Sequence, residues 1–431
     1  MPGESLLAIA AASDEAAVPS RAARAALPTG NLERTAHSRP VPFGLLFSGF
    51  LQTEFVLDQL SEDQLEQSGA PFNRDEFVLR SARLRLDGGH QYTAYTLDLD
   101  ATTRGGPSLG VRRAEGSLLY RGGTAEDGVP ERPPLLALTA GITDLPFGFE
   151  LVESSRTRVS MERSAGSEAL FPTQMDTGVK LHGAWEFLRY ALALVNGEPV
   201  DRSALPRDSN AHKDIVGRFG VEAPLGDSVV LSGGTSFAFG KGFHPGSVAV
   251  KDQVAWRDDN NDGAAAPSEI VGVPGSAAIP SENFERWAIG LDLQLSVRSP
   301  LGVTRFVAEG FVAQNHDRGR YRSDPVATGV DLRQVGGYVG VTQELTPYAL
   351  VGARVDAYDP NSDFFEERRG ELIPRSQGSL TVSPVVGLVW PDRARLLLQY
   401  DFIDDELGRD AVGNPTDAKN NRFTARLQVD L

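Results

Sequence analysis

The 431-residue chain has no cysteine, so disulfide bridges and thiolate metal centres are excluded. Nowhere does it carry the run of about 18 apolar residues that a membrane-spanning helix needs. Its histidines, His37, His90, His182, His212, His244 and His316, fall in no HxH or HExxH spacing. Neither a G-x-S-x-G elbow nor a Walker loop occurs, so the usual signatures of metallohydrolase, serine hydrolase and nucleotide chemistry are missing and a non-enzymatic role is expected. Basic residues are the minority, 42 against 58 acidic ones, and a net charge of −16 argues against nucleic acid as a partner. No linker interrupts the chain beyond Leu45, although a soluble chain of this length would normally divide into domains.

What the chain has is a period of two. Trp287, Ile289, Leu291, Leu293, Leu295 and Val297 alternate with Arg286, Ala288, Gly290, Asp292, Gln294 and Ser296. The last segment sets Phe423, Ala425, Leu427, Val429 and Leu431 against Arg422, Thr424, Arg426, Gln428 and Asp430. Such alternation is that of a strand with one apolar face. Sixteen stretches of this kind are predicted, at 45–57, 76–86, 91–101, 109–121, 134–143, 174–184, 187–196, 214–223, 228–239, 284–297, 303–313, 333–342, 348–358, 378–390, 393–403 and 421–431. Strands of soluble sheets average about five or six residues, whereas these run about ten, the length a tilted strand needs to cross a bilayer.

Connections after the even strands are mostly short and rich in turn formers: Asp87-Gly88-Gly89-His90, Pro224-Leu225-Gly226-Asp227, Pro300-Leu301-Gly302, Thr346-Pro347 and Pro391-Asp392, with Gly122 to Pro133 the exception. Those after the odd strands are mostly long and polar, the longest running from Gly240 to Asn283. The expected fold is all-β: a 16-stranded antiparallel transmembrane β-barrel over residues 43–431, with short periplasmic turns and long external loops, in the bacterial outer membrane. Tyr120, Trp185, Tyr348 and Trp390 would mark the periplasmic rim, and Trp287 and Tyr358 the outer one. Residues 1–42 read as a signal remnant or flexible periplasmic lead-in, with Leu6 to Ala12 as an apolar core that lacks a basic flank.

Barrels of this size enclose water, so the inward face becomes the candidate site. Alternation assigns Arg83, Arg85, Lys180, Arg189, Arg218 and Arg354 to the pore lining, with Arg113, Arg286, Arg305, Arg395 and Arg426. Acidic partners such as Glu54, Asp98, Asp100, Asp292 and Glu309 nearly balance them, which predicts at most weak anion preference. Arg80 falls on the lipid side of this register, where it would have to snorkel.

Residues Ala140-Gly141-Ile142-Thr143-Asp144-Leu145-Pro146-Phe147-Gly148-Phe149-Glu150, Glu153-Ser154-Ser155-Arg156, Met161-Glu162-Arg163-Ser164 and Asp176 to Gly183 together resemble the phosphate-selective porin O/P family, as do Tyr190 to Gly197 and Ala308-Glu309-Gly310-Phe311. The resemblance implies a homotrimer embedded in outer-membrane lipid. It also implies a third external loop folded into the lumen, here Asp144 to Thr173, with Arg156, Arg158, Arg163, Glu153 and Glu162 at the constriction. The family's selectivity rests on arginines together with a lysine cluster, and this loop has no lysine. A blander reading pairs the three arginines with Glu153, Glu162 and Glu168 on a solvated loop.

Asp258-Asp259-Asn260-Asn261-Asp262-Gly263 followed by Glu269 fits a twelve-position calcium loop, with Asp258, Asn260, Asp262, the Ala264 carbonyl and Glu269 as oxygen donors for a structural calcium ion. An ordinary acidic turn is the alternative, since the flanks are not helical and Ala266 offers no side-chain oxygen. No cofactor is required by either reading. The leading expectation is a porin for passive diffusion of small hydrophilic solutes, weakly anion- or phosphate-selective. The alternative is a surface-exposed β-rich calcium-binding module or adhesin without a channel.

Overall fold

The computed structural model describes residues 39–41, 45–59, 75–90, 92–120, 134–198, 208–226, 228–259, 261, 263–368, 370–374, 377–391, 393–405, 407–409 and 415–431. Sixteen long strands form its wall: β1 (Leu45–Asp58), β2 (Glu76–His90), β3 (Thr93–Thr102), β4 (Ser108–Tyr120), β5 (Leu136–Asp144), β6 (Met175–Trp185), β7 (Leu188–Val195), β8 (Asp214–Pro224), β9 (Val229–His244), β10 (Glu282–Ser299), β11 (Gly302–Gln314), β12 (Arg333–Thr346), β13 (Ala349–Asp359), β14 (Ser379–Trp390), β15 (Ala394–Asp405) and β16 (Arg422–Asp430). Each pairs antiparallel with the next, and β16 returns to β1 with Arg426 opposite Glu54, so the sheet is a closed barrel. Closure leaves no edge in the wall and satisfies its backbone, the condition for crossing lipid without helices.

β16 ends early against β1, where the Leu431 amide donates to the Gly49 carbonyl at 3.1 Å. Beyond that point Arg39–Val41 pairs with Leu45–Phe47 and continues the ladder, so part of the expected lead-in is strand. Residues 1–38, including the Leu6 to Ala12 run, lie outside the described residues, as does the whole of the long turn Gly122 to Pro133.

Burial is inverted relative to a soluble protein. Gln52, Glu54, Ser81, Arg83, Asp98, Asp100 and Gln428 are buried, whereas Leu51, Leu97, Leu291, Leu293, Leu427 and Val429 on the opposite strand face are exposed. Apolar surface outside and polar side chains inside is the arrangement of a lipid-facing barrel. Tyr120, Trp185, Tyr348 and Trp390 are all exposed at the short-turn end. Tyr358 departs from expectation: it shares the inward parity of Arg354 and Asp356, is buried, and donates its hydroxyl to Asp317 at 2.6 Å.

Two bulges also break the simple alternation. On β2 the register passes from Gln52↔Ser81 to Thr53↔Leu79, leaving Arg80 as the extra residue. On β4 it passes from Asp98↔Arg113 to Leu99↔Val111, leaving Arg112. A bulge re-aims a side chain, and both arginines point into the lumen rather than at lipid. The Asp87 to His90 segment is not a turn either. β2 continues through it, with Gly88 opposite Tyr95 and the pairing running on to His90 opposite Thr93. A Cβ on Gly88 would lie 2.4 Å from the Tyr95 ring, so this glycine makes room for a cross-strand aromatic.

Candidate pore constriction

The loop between β5 and β6, residues 145–174, enters the lumen through a turn that only glycine fits. Gly148 has φ +60°, and a Cβ there would sit 1.8 Å from the Glu309 carboxylate. That carboxylate accepts the Phe149 and Glu150 amides at 3.0 Å each and the Tyr338 hydroxyl at 3.3 Å. The Gly148 amide donates to Ser236 Oγ at 2.9 Å. Three wall strands, β9, β11 and β12, thereby hold the turn.

Further along, the short helix α1 (Ala165–Leu170) is capped by Ser164, whose hydroxyl and amide both donate to Glu150. Leu145, Phe147, Leu151, Leu170 and Phe171 of the loop pack with Ala193, Val195, Val216, Ala238, Ala288, Phe311, Ala313 and Tyr358 on the inner faces of β7 to β11 and β13. Each fully buried large apolar side chain contributes about 1.5–3 kcal/mol, enough to fix the loop on that side. The loop thus coats one half of the bore.

Charged contacts tie the loop to other strands. Arg354 on β13 donates to Glu150 at 3.0 Å and to the Glu162 carbonyl at 2.8 Å. Arg395 on β15 donates to the Thr157 and Ser155 carbonyls at 3.3 and 3.2 Å, and Gln52 on β1 to Ser155 at 3.0 Å. Burial by itself disfavours ionised Glu150, yet Arg354, Arg158 and the Ser164 hydrogen bond together hold it below the usual carboxylate range. Glu153 differs: burial raises it despite Arg305 at 3.5 Å and the field of Arg158.

All five residues assigned to the constriction lie in this loop, but their partners are not each other. Arg156 pairs with Asp430 of β16 at 2.8 Å. Arg163 donates to the Phe171 and Pro172 carbonyls at 2.7 and 2.8 Å, closing the loop on itself. Glu153 faces Arg305 of β11. Glu162 takes a bidentate contact from Arg80 at 2.9 and 2.8 Å and another from Arg104 at 2.6 Å. Burial would raise Glu162, but Arg80, Arg104 and Arg426 hold it well below the ordinary carboxylate range. Arg158 is 6% exposed, and its side-chain Nε and Nη1 are buried without a hydrogen-bond partner among the described residues. The solvated-loop reading therefore fails, because the carboxylates and guanidinia that bind this loop stand mainly on the wall.

The pore-lining assignments also face inward, mostly in pairs. Arg83 meets Asp100 at 3.3 Å and Asp98 at 3.7 Å, Arg85 meets Asp87 at 2.7 Å, and Arg218 grips Asp292 bidentately at 3.1 and 2.6 Å. Lys180 donates to the Asp144 carbonyl at 3.1 Å, and Arg189 lies 3.7 Å from Glu222 near the short-turn end. Between the loop and the wall of β1 to β4 a cavity of about 580 Å³ opens. Arg80, Arg83, Arg104, Arg112, Arg158, Arg163 and Arg426 border it, against Glu168 as the acidic lining residue. Sequence alternation missed Arg80 and Arg112. The tandem Arg112-Arg113 inside a strand was the available signal, since strict alternation would leave one of the two in lipid.

Of the proposed calcium donors, Asp258, Ala264 and Glu269 lie elsewhere, between the paired segments Gln253–Trp256 and Ile270–Val273. Asp258 accepts the Gly263 amide at 2.9 Å. Glu269 accepts the Trp256 indole and the Ala266 amide at 3.1 Å each. Ala264 is exposed, and Asn260 and Asp262 lie outside the described residues, among which no group of metal-binding side chains is found.

No protein-family model matches the chain, and no curated protein matches it in sequence. Solved structures do match. OmpT, an outer membrane protein of Vibrio cholerae, in its trimer form aligns over 90% of this chain and 99% of its own, at 11% identity and a TM-score of 0.50. The outer membrane channel DcaP of Acinetobacter baumannii aligns over 91% and 99%, at 10% identity and 0.51. The high-pH structure of Pseudomonas putida OprB aligns over 90% and 94%, at 8% identity and 0.50. Fold and exterior are those of an outer-membrane β-barrel.

Proposed function

We propose that this chain is a passive porin of the bacterial outer membrane, carrying small hydrophilic solutes with a weak preference for anions, inorganic phosphate among them. Loop 145–174 is read as its constriction, and solutes pass between that loop and the wall of β1 to β4. The observation that carries this reading is an arginine-bordered cavity beside a loop that packs against the inner faces of β7 to β11 and β13. Structural likeness to an outer membrane channel supports it. Rings of fixed charge select ions in pores, and the pairing of most wall charges keeps the preference weak. The homotrimer implied by the family resemblance belongs to the same proposal.

Single-channel recording in planar bilayers tests it. Discrete ion steps are expected, with a reversal potential in a salt gradient displaced modestly to the anion side, and Arg156, Arg158 and Arg163 replaced together by Gln should move it toward cations. A pure, folded chain that gives no steps would leave the surface-module reading in place of the porin.

A further inference from the structure

Glu162 stands where a solute would be expected to bind. Arg80 reaches it from the bulge on β2, Arg104 from the turn between β3 and β4, and Arg426 from β16 at 3.8 Å. Arg426 already has Glu54, to which its Nε donates at 2.6 Å, and it also donates to the Met161 carbonyl. Arg80 and Arg104 have no other ion-pair partner among the described residues. The count is therefore two otherwise unpaired guanidinia on one carboxylate, a residual charge of one. The contact is wet: the side chains of Arg104, Glu162 and Arg80 are 44, 21 and 18% exposed, and all three arginines line the open cavity. A carboxylate held bidentately by one guanidinium and singly by a second has the geometry of a bound oxyanion.

We propose that Glu162 is a tethered internal anion that occupies the oxyanion site of the pore and thereby sets its selectivity. The inference rests on the porin reading. A carboxylate or phosphate solute in transit exchanges with the Glu162 carboxylate on Arg80 and Arg104, and the loop returns its own carboxylate once the solute leaves. Covalent attachment makes Glu162 a competitor at high local concentration, so free anions bind weakly and pass rather than lodge. Arg80 is essential to the site and is brought there by the bulge alone. Glu162 is a specificity-determining residue that keeps an arginine-rich constriction from becoming a strong anion trap.

Bilayer recording of the full-length protein tests this. Glu162→Gln keeps the side-chain shape and frees both arginines. The anion-to-cation permeability ratio should rise, and block of chloride current by added inorganic phosphate or sulfate should appear at a concentration lower by on the order of tenfold. Glu162→Asp, which keeps the charge on a side chain one methylene shorter, should fall between the parent and Glu162→Gln. Arg104→Gln changes the most exposed member, so it does not threaten folding, and should shift the parent toward cations by removing the residual charge. A folded Glu162→Gln channel with unchanged reversal and unchanged anion block overturns the proposal while leaving the pore intact. So does an Arg104→Gln channel that matches the parent. A parent protein that shows no ion steps instead removes the porin reading beneath it.

Discussion

Arg354 joins three groups with one guanidinium: the Glu150 carboxylate, the Glu162 carbonyl and, at 3.4 Å, Asp356. Because Glu150 is buried, removing the cation leaves a carboxylate without its main counter-charge, a change that costs about 3–5 kcal/mol in buried pairs. Arg354→Ala is expected to lower the thermal unfolding midpoint and to produce noisy, enlarged conductance as the loop loosens; unaltered single-channel noise would show that the apolar seat alone holds it. Glu153 makes a pH prediction. Burial raises its folded-state value, so protonation begins above the ordinary 4.5 as pH falls. Proton uptake leaves Arg305 uncompensated, and anion preference should increase on acidification from that point, an increase that Glu153→Gln abolishes. In stability the raised value works in the same direction: the neutral form is the favoured one, so this contribution is complete at low pH and fades as pH rises through the folded value. Glu150, held low, contributes oppositely and is lost on acidification.

At the scale of elements, the loop's entry turn depends on a single glycine. Gly148→Ala forces a left-handed residue to carry a Cβ into the Glu309 carboxylate, and the strain of about 1–3 kcal/mol must be relieved by moving the turn. Faster protease cleavage within 145–174 and a larger conductance are expected, whereas an unchanged channel would mean that Glu309 yields instead. The strands themselves were legible because one face meets lipid and the other water: Leu291 and Leu293 against Asp292 and Gln294 needs no further information. In β7 the same logic was weaker. Ala191, Ala193 and Val195 point inward and Leu192 and Leu194 outward, so both faces are apolar and only side-chain size distinguishes them. The inward residues there are small because Leu145, Phe147 and Phe171 of the loop lie in the same apolar cluster. Bulges escape periodic reading altogether, since one inserted residue at Arg80 or Arg112 exchanges faces without changing composition.

For the molecule as a whole, the exposed ring of Leu51, Leu97, Leu291, Val339, Val386 and Leu427 requires an apolar solvent. The purified chain should stay monodisperse in detergent and aggregate when detergent is withdrawn; a monodisperse species in plain buffer, seen by light scattering, would contradict the lipid-facing assignment. The barrel is also asymmetric within, with apolar packing of the loop against β7 to β11 and β13 and an arginine-bordered opening on the side of β1 to β4. That asymmetry makes the opening eccentric. By itself the sequence determined the strand number, their order, which end bears the long loops and which face meets lipid, because each follows from a two-residue period and from connection length. Only the tertiary structure decided which charges meet: Glu162 and Arg80 are 82 residues apart in the chain, and their contact depends on barrel closure, a bulge and a buried loop acting together. Local periodicity encodes none of these three.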